Sequence, residues 1–297
     1  MQLTRRRALG LALAASSAAG FRAGAAGEVS DDRALFWEFG SGPSASTIFG
    51  YSRIAASLVS DIVDDGTRRA TSAKRVIQDF PSRVVLPAIK IDPALQPVVD
   101  RLDGKTAAAF RAFVQQSFPQ LAPTADKMPG IEAAMLLMAE GGTPPNPTVG
   151  GTIVERALKL GRPSMALISD TELRSMVFTP NLTVLDKRIG QDTIAYLLDL
   201  RAKGGPIGRQ FEQLYAARRG GDIHSLGAEL MKRGVFVLAQ MLNSDAIKYL
   251  LGSRLEAALK MDAAASAFVL MPLDALVGAD GIIAALRKSG NSVTAVA

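Results

Sequence analysis

Among 297 residues there is one histidine, His224, and no cysteine. One imidazole and no thiol cannot build a Cys/His zinc site or a two-histidine metal site. A cysteine nucleophile is excluded, and a Ser-His-Asp arrangement would have to run through His224 alone. Carboxylate chemistry and ligand binding pass this filter. His224 sits in Gly221-Asp222-Ile223-His224-Ser225-Leu226. There Asp222 reads as a helix N-cap, and residues two apart on a helix do not face each other. A surface or capping role is therefore expected for His224 rather than that of a general base. The Gly141–Gly151 loop is rich in glycine but lacks a Lys-Ser/Thr pair, so a phosphate-binding loop is not supported.

These residues need elements to position them. Ala34–Phe39 and Ser46–Gly50 are strand-like and flank turn residues Gly40–Ser44, which predicts an opening hairpin. Helical patterning follows over about Ser52–Asp64 and Ser72–Asp79. Arg83–Ile91 is β-branched and strand-like, with Pro87 placed at an edge or at the strand's end because it cannot donate to a ladder. Helices are expected over about Pro93–Leu102, Lys105–Phe118, Gly130–Glu140 and Thr152–Leu160, then a short strand at Ser164–Ile168. Asp170 caps a further helix, and Asp186–Asp262 is mostly helical with breaks at Gly204–Pro206 and Gly220–Gly221. The chain closes with strand Ala267–Met271, helix Gly278–Ser289 and strand Ser292–Val296, a βαβ pattern that implies parallel pairing. The expected fold is α/β (α+β): one central sheet built from N- and C-terminal strands, with a long, mostly helical middle.

The first residues carry a different signal. Arg5-Arg6-Arg7 precedes a weakly apolar run from Ala8 to Phe21 and then Ala23-Gly24-Ala25, the order of an export signal. Thr4-Arg5-Arg6 followed by Leu9 resembles the twin-arginine type. Residues 1–25 are thus expected to be a signal peptide and 26–297 a single domain, periplasmic or otherwise exported. Removing Arg5, Arg6, Arg7 and Arg22 takes the 34 Lys and Arg to 30 against 28 Asp and Glu. The net charge of +6 is largely the signal's, and the mature chain offers only short basic pairs such as Arg68-Arg69. No nucleic-acid partner is expected. No mature segment reaches 18 consecutive apolar residues, so no stable membrane span is expected after cleavage.

Leu35-Phe36-Trp37-Glu38 with Thr47-Ile48-Phe49-Gly50 resembles the opening hairpin of the TraB/GumN family. Thr152–Pro163 is similar to that family's mid-chain helix and strand, and Tyr215–Asp222 to its tyrosine–glycine–aspartate step. Phe268–Arg287, containing Leu273-Asp274-Ala275-Leu276-Val277-Gly278, is similar to its closing segment. The matches run in the same order over nearly all the mature chain. The resemblance implies a metal-dependent, peptidase-like hydrolase with histidines and an acidic residue near these strand ends. Here Arg53 and Ala275 stand where the two histidines belong, Pro87 where the acidic residue belongs, and Pro272 replaces a glycine. A permanent cation at Arg53 repels a metal. The resemblance therefore implies a retained scaffold without catalytic residues, metal or cofactor, acting on a periplasmic protein or small ligand. The alternative is a hydrolase with a rebuilt carboxylate site. Glu38, Arg53 and Asp274 form the candidate remnant pocket, placed by the resemblance near one end of the sheet. Arg53 there either grips a ligand's carboxylate or phosphate or pairs with one of the two carboxylates and seals the site. Replacing Arg5 and Arg6 together by lysine is expected to retain the protein in the cytoplasm, as read by cell fractionation. Unchanged arrival in the periplasm would rule out the twin-arginine route.

Overall fold

The computed structural model describes residues 29–81, 95–176, 182–235, 245–262 and 265–296. The signal-like segment and the expected strand Arg83–Ile91, with Pro87, lie outside them. Six strands form one mixed sheet in the order β4-β3-β5-β2-β1-β6. They are β1 (Phe36–Phe39), β2 (Ser46–Tyr51), β3 (Arg75–Gln78), β4 (Ser164–Ala166), β5 (Ala267–Pro272) and β6 (Val293–Val296). Strands from the two ends of the chain do build the sheet, and the described residues between β4 and β5 are mostly helical. The opening hairpin forms in the expected place, with Phe36 opposite Phe49 and Phe39 opposite Ser46.

Three expectations are corrected. Ser72–Asp79 is not helical: α1 (Ser60–Ser72) ends there, and Arg75–Gln78 is β3, held between β4 and β5. Four residues are too few for periodicity to separate buried strand from helix, and only the neighbouring ladders decide. Pro93–Leu102 yields only a 3-10 turn at Val98–Arg101 among its described residues. The closing strands do not pair with each other. β2 and β3 occupy both sides of β5, so β6 runs on to the free edge of β1 and pairs antiparallel, Phe36 with Val296 and Phe39 with Val293.

The sheet is covered on both faces, as its almost fully buried β5 requires. On one face Phe36, Phe49 and Phe268 stack, with centroid separations of 4.8 and 6.0 Å. There α1 and α4 (Val149–Lys159) pack together, and Gly66 of α1 lies against Ile153 of α4 and the ring of Phe36. On the other face lies Trp37, with the short α11 (Leu273–Leu276) and with α9 (Gly220–Lys232), α10 (Asp245–Met261) and α12 (Ile282–Lys288). The remaining helices are α2 (Gly104–Ser117), α3 (Gly130–Ala139), α5 (Asp170–Met176), α6 (Leu182–Arg188), α7 (Gln191–Gly204) and α8 (Ile207–Ala216). A second apolar cluster, around Phe110, Leu137, Ile194 and Ile207, is built from α2, α3, α7 and α8. Phe211 packs against both clusters and ties the helical layer to the sheet. Tyr215 of α8 is fully buried, and its Oη donates to the carbonyl of Gly50 at 3.2 Å. No helix of the described residues is long and apolar enough to cross a membrane.

Gly50 is a point of close approach. A Cβ there would lie 2.6 Å from Cδ1 of Leu273 and 3.2 Å from the Trp37 ring. Overpacking of this kind costs about 1–3 kcal/mol. Gly50→Ala is therefore expected to lower stability by that amount in urea unfolding; an unchanged midpoint would show that Leu273 yields freely.

Candidate functional site

The chain's connectivity marks one end of the sheet. After β2 the chain crosses to β3 through α1, on the phenylalanine face. After β5, which lies directly beside β2 and parallel to it, the chain leaves through α11 and α12 on the Trp37 face towards β6. Adjacent parallel strands whose connections depart to opposite faces leave a crevice at their carboxyl ends, the usual place for ligands in open α/β sheets. Here the last registered pair of that crevice is Tyr51 with Pro272. Arg53 and Asp274 each follow two residues beyond it.

On β2 the crevice begins with Tyr51. Its Oη donates to Oδ2 of Asp79 at 2.6 Å. Asp79 follows directly after β3, and its backbone N–H donates to the carbonyl of Leu270 on β5. It is only 4% exposed. Burial pushes its carboxyl up to about 7, although the hydrogen bond from Tyr51 and nearby backbone N–H groups favour the ionised form. Burial also raises the Tyr51 hydroxyl well above its ordinary value; the Asp79 charge adds to this, while the neighbouring charge of Arg53 works against it. Arg53 is exposed and forms no ion pair among the described residues. It does not seal the site by pairing with Glu38 or Asp274.

On β5 the crevice continues through α11. Asp274 is raised by burial, with His224 and Lys248 pulling the other way. Its Oδ1 is shut off from solvent and has no hydrogen-bond partner among the described residues, and the same holds for Nδ1 of His224. His224 is thus neither a surface residue nor part of a cap. It is half-buried in α9, and Asp222 lies inside that helix, paired with Nε of Arg219 at 2.5 Å. Gly278 has φ +95°, and a Cβ there would lie 2.6 Å from Nε2 of His224. Only glycine fits both the backbone and the ring.

The expected trio is split. Arg53 and Asp274 sit at the crevice, but Glu38 pairs with Thr47 and Thr294 in mid-sheet. Thr47 is four residues before Tyr51 on β2, which places Glu38 about 13 Å towards the other end of the sheet at ~3.3 Å per residue. Tyr51 and Asp79 are the residues that the pattern does not bring forward, and His224 is one that it assigns to a surface or capping role. The sequence pattern puts Asp79 at a helix end, and only the packing of α9 brings His224 within electrostatic reach of Asp274. A strand assignment at Arg75–Gln78 would have placed Asp79 at a carboxyl end.

Among the described residues no group of three His, Cys, Asp or Glu side chains could hold a metal ion. A depression of about 250 Å³ lined by Arg111, Gln115 and Asp126 lies between α2 and the 3-10 segment Pro119–Lys127. Arg111 and Asp126 are already paired there at 2.6 Å. No family model, no curated protein and no solved structure matches the chain.

A carboxyl whose folded value is raised stabilises the protein below its unfolded value, and that contribution is lost as pH rises through the folded one. For Asp79 the window runs from about 4 to about 7. Asp79→Asn keeps an acceptor for Tyr51 and removes the titration. Its stability relative to wild type should grow from pH 4 to pH 8 by up to about 4 kcal/mol, at 1.36 kcal/mol per pH unit. Urea unfolding across this range checks it; a constant difference would mean that Asp79 does not titrate there.

Proposed function

We propose that this is an exported, TraB/GumN-like protein that has left metal catalysis and binds a small anionic ligand at the crevice between β2 and β5. The observation that carries the reading is the distribution of charge at that crevice. Arg53 presents an exposed guanidinium with no ion pair among the described residues, whereas the carboxyls of Asp79 and Asp274 are withdrawn into the fold. A metal site needs the reverse, with carboxylates turned outward and cations away. A guanidinium suits a carboxylate or phosphate, which it can take with two parallel hydrogen bonds. The N-terminal hairpin, the strand β5 and the helix after it agree with the architecture that the resemblance implies.

A second reading, a hydrolase with a rebuilt carboxylate site, draws on Asp79. A carboxyl titrating near neutrality at a ligand-binding end is suited to general acid or base work. It differs from the binding reading in requiring turnover of a substrate and loss of that turnover in Asp79→Asn.

The test is thermal unfolding of the mature protein with Mn²⁺, Co²⁺ and Zn²⁺, and with a panel of citrate, inorganic phosphate and acidic dipeptides. Ligands that bind only the native state raise its melting temperature. The expected outcome is no rise with metal, and a rise with at least one anion that disappears in Arg53→Ala. A rise of several degrees with metal, or an anion effect that survives Arg53→Ala, overturns the proposal.

A further inference from the structure

The two edges of the sheet are finished differently. At the β6 edge the carbonyl of Val293 accepts from Nε of Arg287 at 2.8 Å, and Asp31 accepts from the same guanidinium. A charged side chain laid along an edge blocks the addition of another strand. At the β4 edge no further strand follows, and no side chain bonds the outer backbone of β4 among the described residues. The carbonyl of Pro163 accepts from Val76, and the N–H of Leu167 donates to Gln78. The parallel ladder to β3 therefore uses alternate residues 163, 165 and 167. The backbone N–H and C=O groups of Ser164 and Ala166 point away from the sheet.

The side chains beside this edge are apolar where an open edge is usually charged. Eight large apolar side chains are exposed among the described residues, and three of them fall within residues 158–165. Leu158 is in the last turn of α4, Leu160 follows that helix, and Met165 is the middle residue of β4, 39% exposed. Ser164, on the amino side of Met165, is exposed as well, and its Oγ accepts from Nε2 of Gln78 at 2.8 Å. β4 itself holds no charged residue and no proline. An exposed strand with free backbone groups and apolar neighbours is a template for a further strand.

The strand that fits this template is β4 itself. A twofold axis at Met165 sets Ser164 of one copy opposite Ala166 of the other. Both residues turn N–H and C=O outward, so each of the two symmetric pairs exchanges its hydrogen bonds fully. A one-residue shift would oppose Ser164 to Met165, whose backbone groups are already committed to β3. The charges agree with the twofold. It brings the basic amino end of β4, with Lys159 and Arg162, towards the acidic carboxyl end of the second copy, with Asp170 and Glu172. We propose that β4 is a dimerisation edge, pairing antiparallel about Met165 with β4 of a second copy and joining two six-stranded sheets into one. The edge lies beyond β3, outside the crevice between β2 and β5, and the pairing is independent of which ligand that crevice takes.

The test is sedimentation velocity on the mature protein over about 10 μM to 1 mM, the range in which a small interface associates. The expected result is a concentration-dependent exchange of monomer with dimer and no larger species, because antiparallel pairing occupies the edge of both copies. Ala166→Pro removes an outward N–H without touching the β3 ladder, and Met165→Lys places like charges together at the axis. Each should weaken association by about ten-fold or more. Thr294→Lys, on the β6 edge, should leave it unchanged. Melting temperatures check that the variants fold, and the wild-type concentration series needs no variant. A wild-type monomer throughout the range overturns the proposal, even where an extended peptide of another chain pairs with β4. Species larger than a dimer overturn it too, as does a dimer of equal strength in folded Ala166→Pro and Met165→Lys.

Discussion

The parallel pairing of β2 with β5 is the constraint on which the rest of the structure depends. It joins Thr47–Tyr51 to Phe268–Pro272 in register, across more than two hundred residues of intervening chain. Closing so long a loop has an entropic cost that grows only slowly with length. Two largely apolar strand segments offset it by burying both faces against helices. Once this pair is set, β1 can lie only on the outer side of β2 and β3 only on the outer side of β5. The last strand is then driven to the far edge of β1. The crevice exists because the chain leaves these two strands to opposite faces.

The same burial that stabilises the sheet decides its electrostatics. Asp79 and Asp274 stand at strand ends where the covering helices exclude water, so both carboxyls are raised. Arg53, two residues past its strand, remains in solvent. In the helical layer buried charges are paired: Arg201 with Glu140 at 2.6 Å, and Arg101 with Asp186 at 2.7 Å. Asp186 also accepts from the backbone N–H of Ile131, which satisfies its second oxygen. At the junction of α9 with the sheet, Nδ1 of His224 and Oδ1 of Asp274 are buried with no hydrogen-bond partner among the described residues, as are the Nε atoms of Arg75, Arg101 and Arg162 elsewhere.

Particular residues show where sequence reasoning reached and where it stopped. The hairpin was legible because alternating aromatic and aliphatic residues flank Gly40–Ser44. The long helices α2 and α7 were legible from their periodicity and from their ends at Pro119 and Gly204. β3 was not, because four residues carry too little periodicity and its strand character comes from β4 and β5 on either side. Arg53 and Asp274 each lie just beyond a strand, β2 and β5 respectively. Glu38 does not lie with them, because register decides how far along the sheet a residue sits, and the antiparallel β1 carries it away from the carboxyl ends.

The scarcity of histidine and cysteine, the short apolar runs of β1, β2 and β5, and the helical middle are properties of the sequence alone, because they rest on composition and local spacing. Those properties are enough for an α/β chain with strands at both ends and no thiol or multi-histidine chemistry. The Tyr51–Asp79 bond, the approach of His224 to Asp274 and the separation of Glu38 from Arg53 belong to tertiary structure. Each depends on which strands become neighbours and which helix covers them. That choice is made by long-range burial, whose energy no local window of sequence contains.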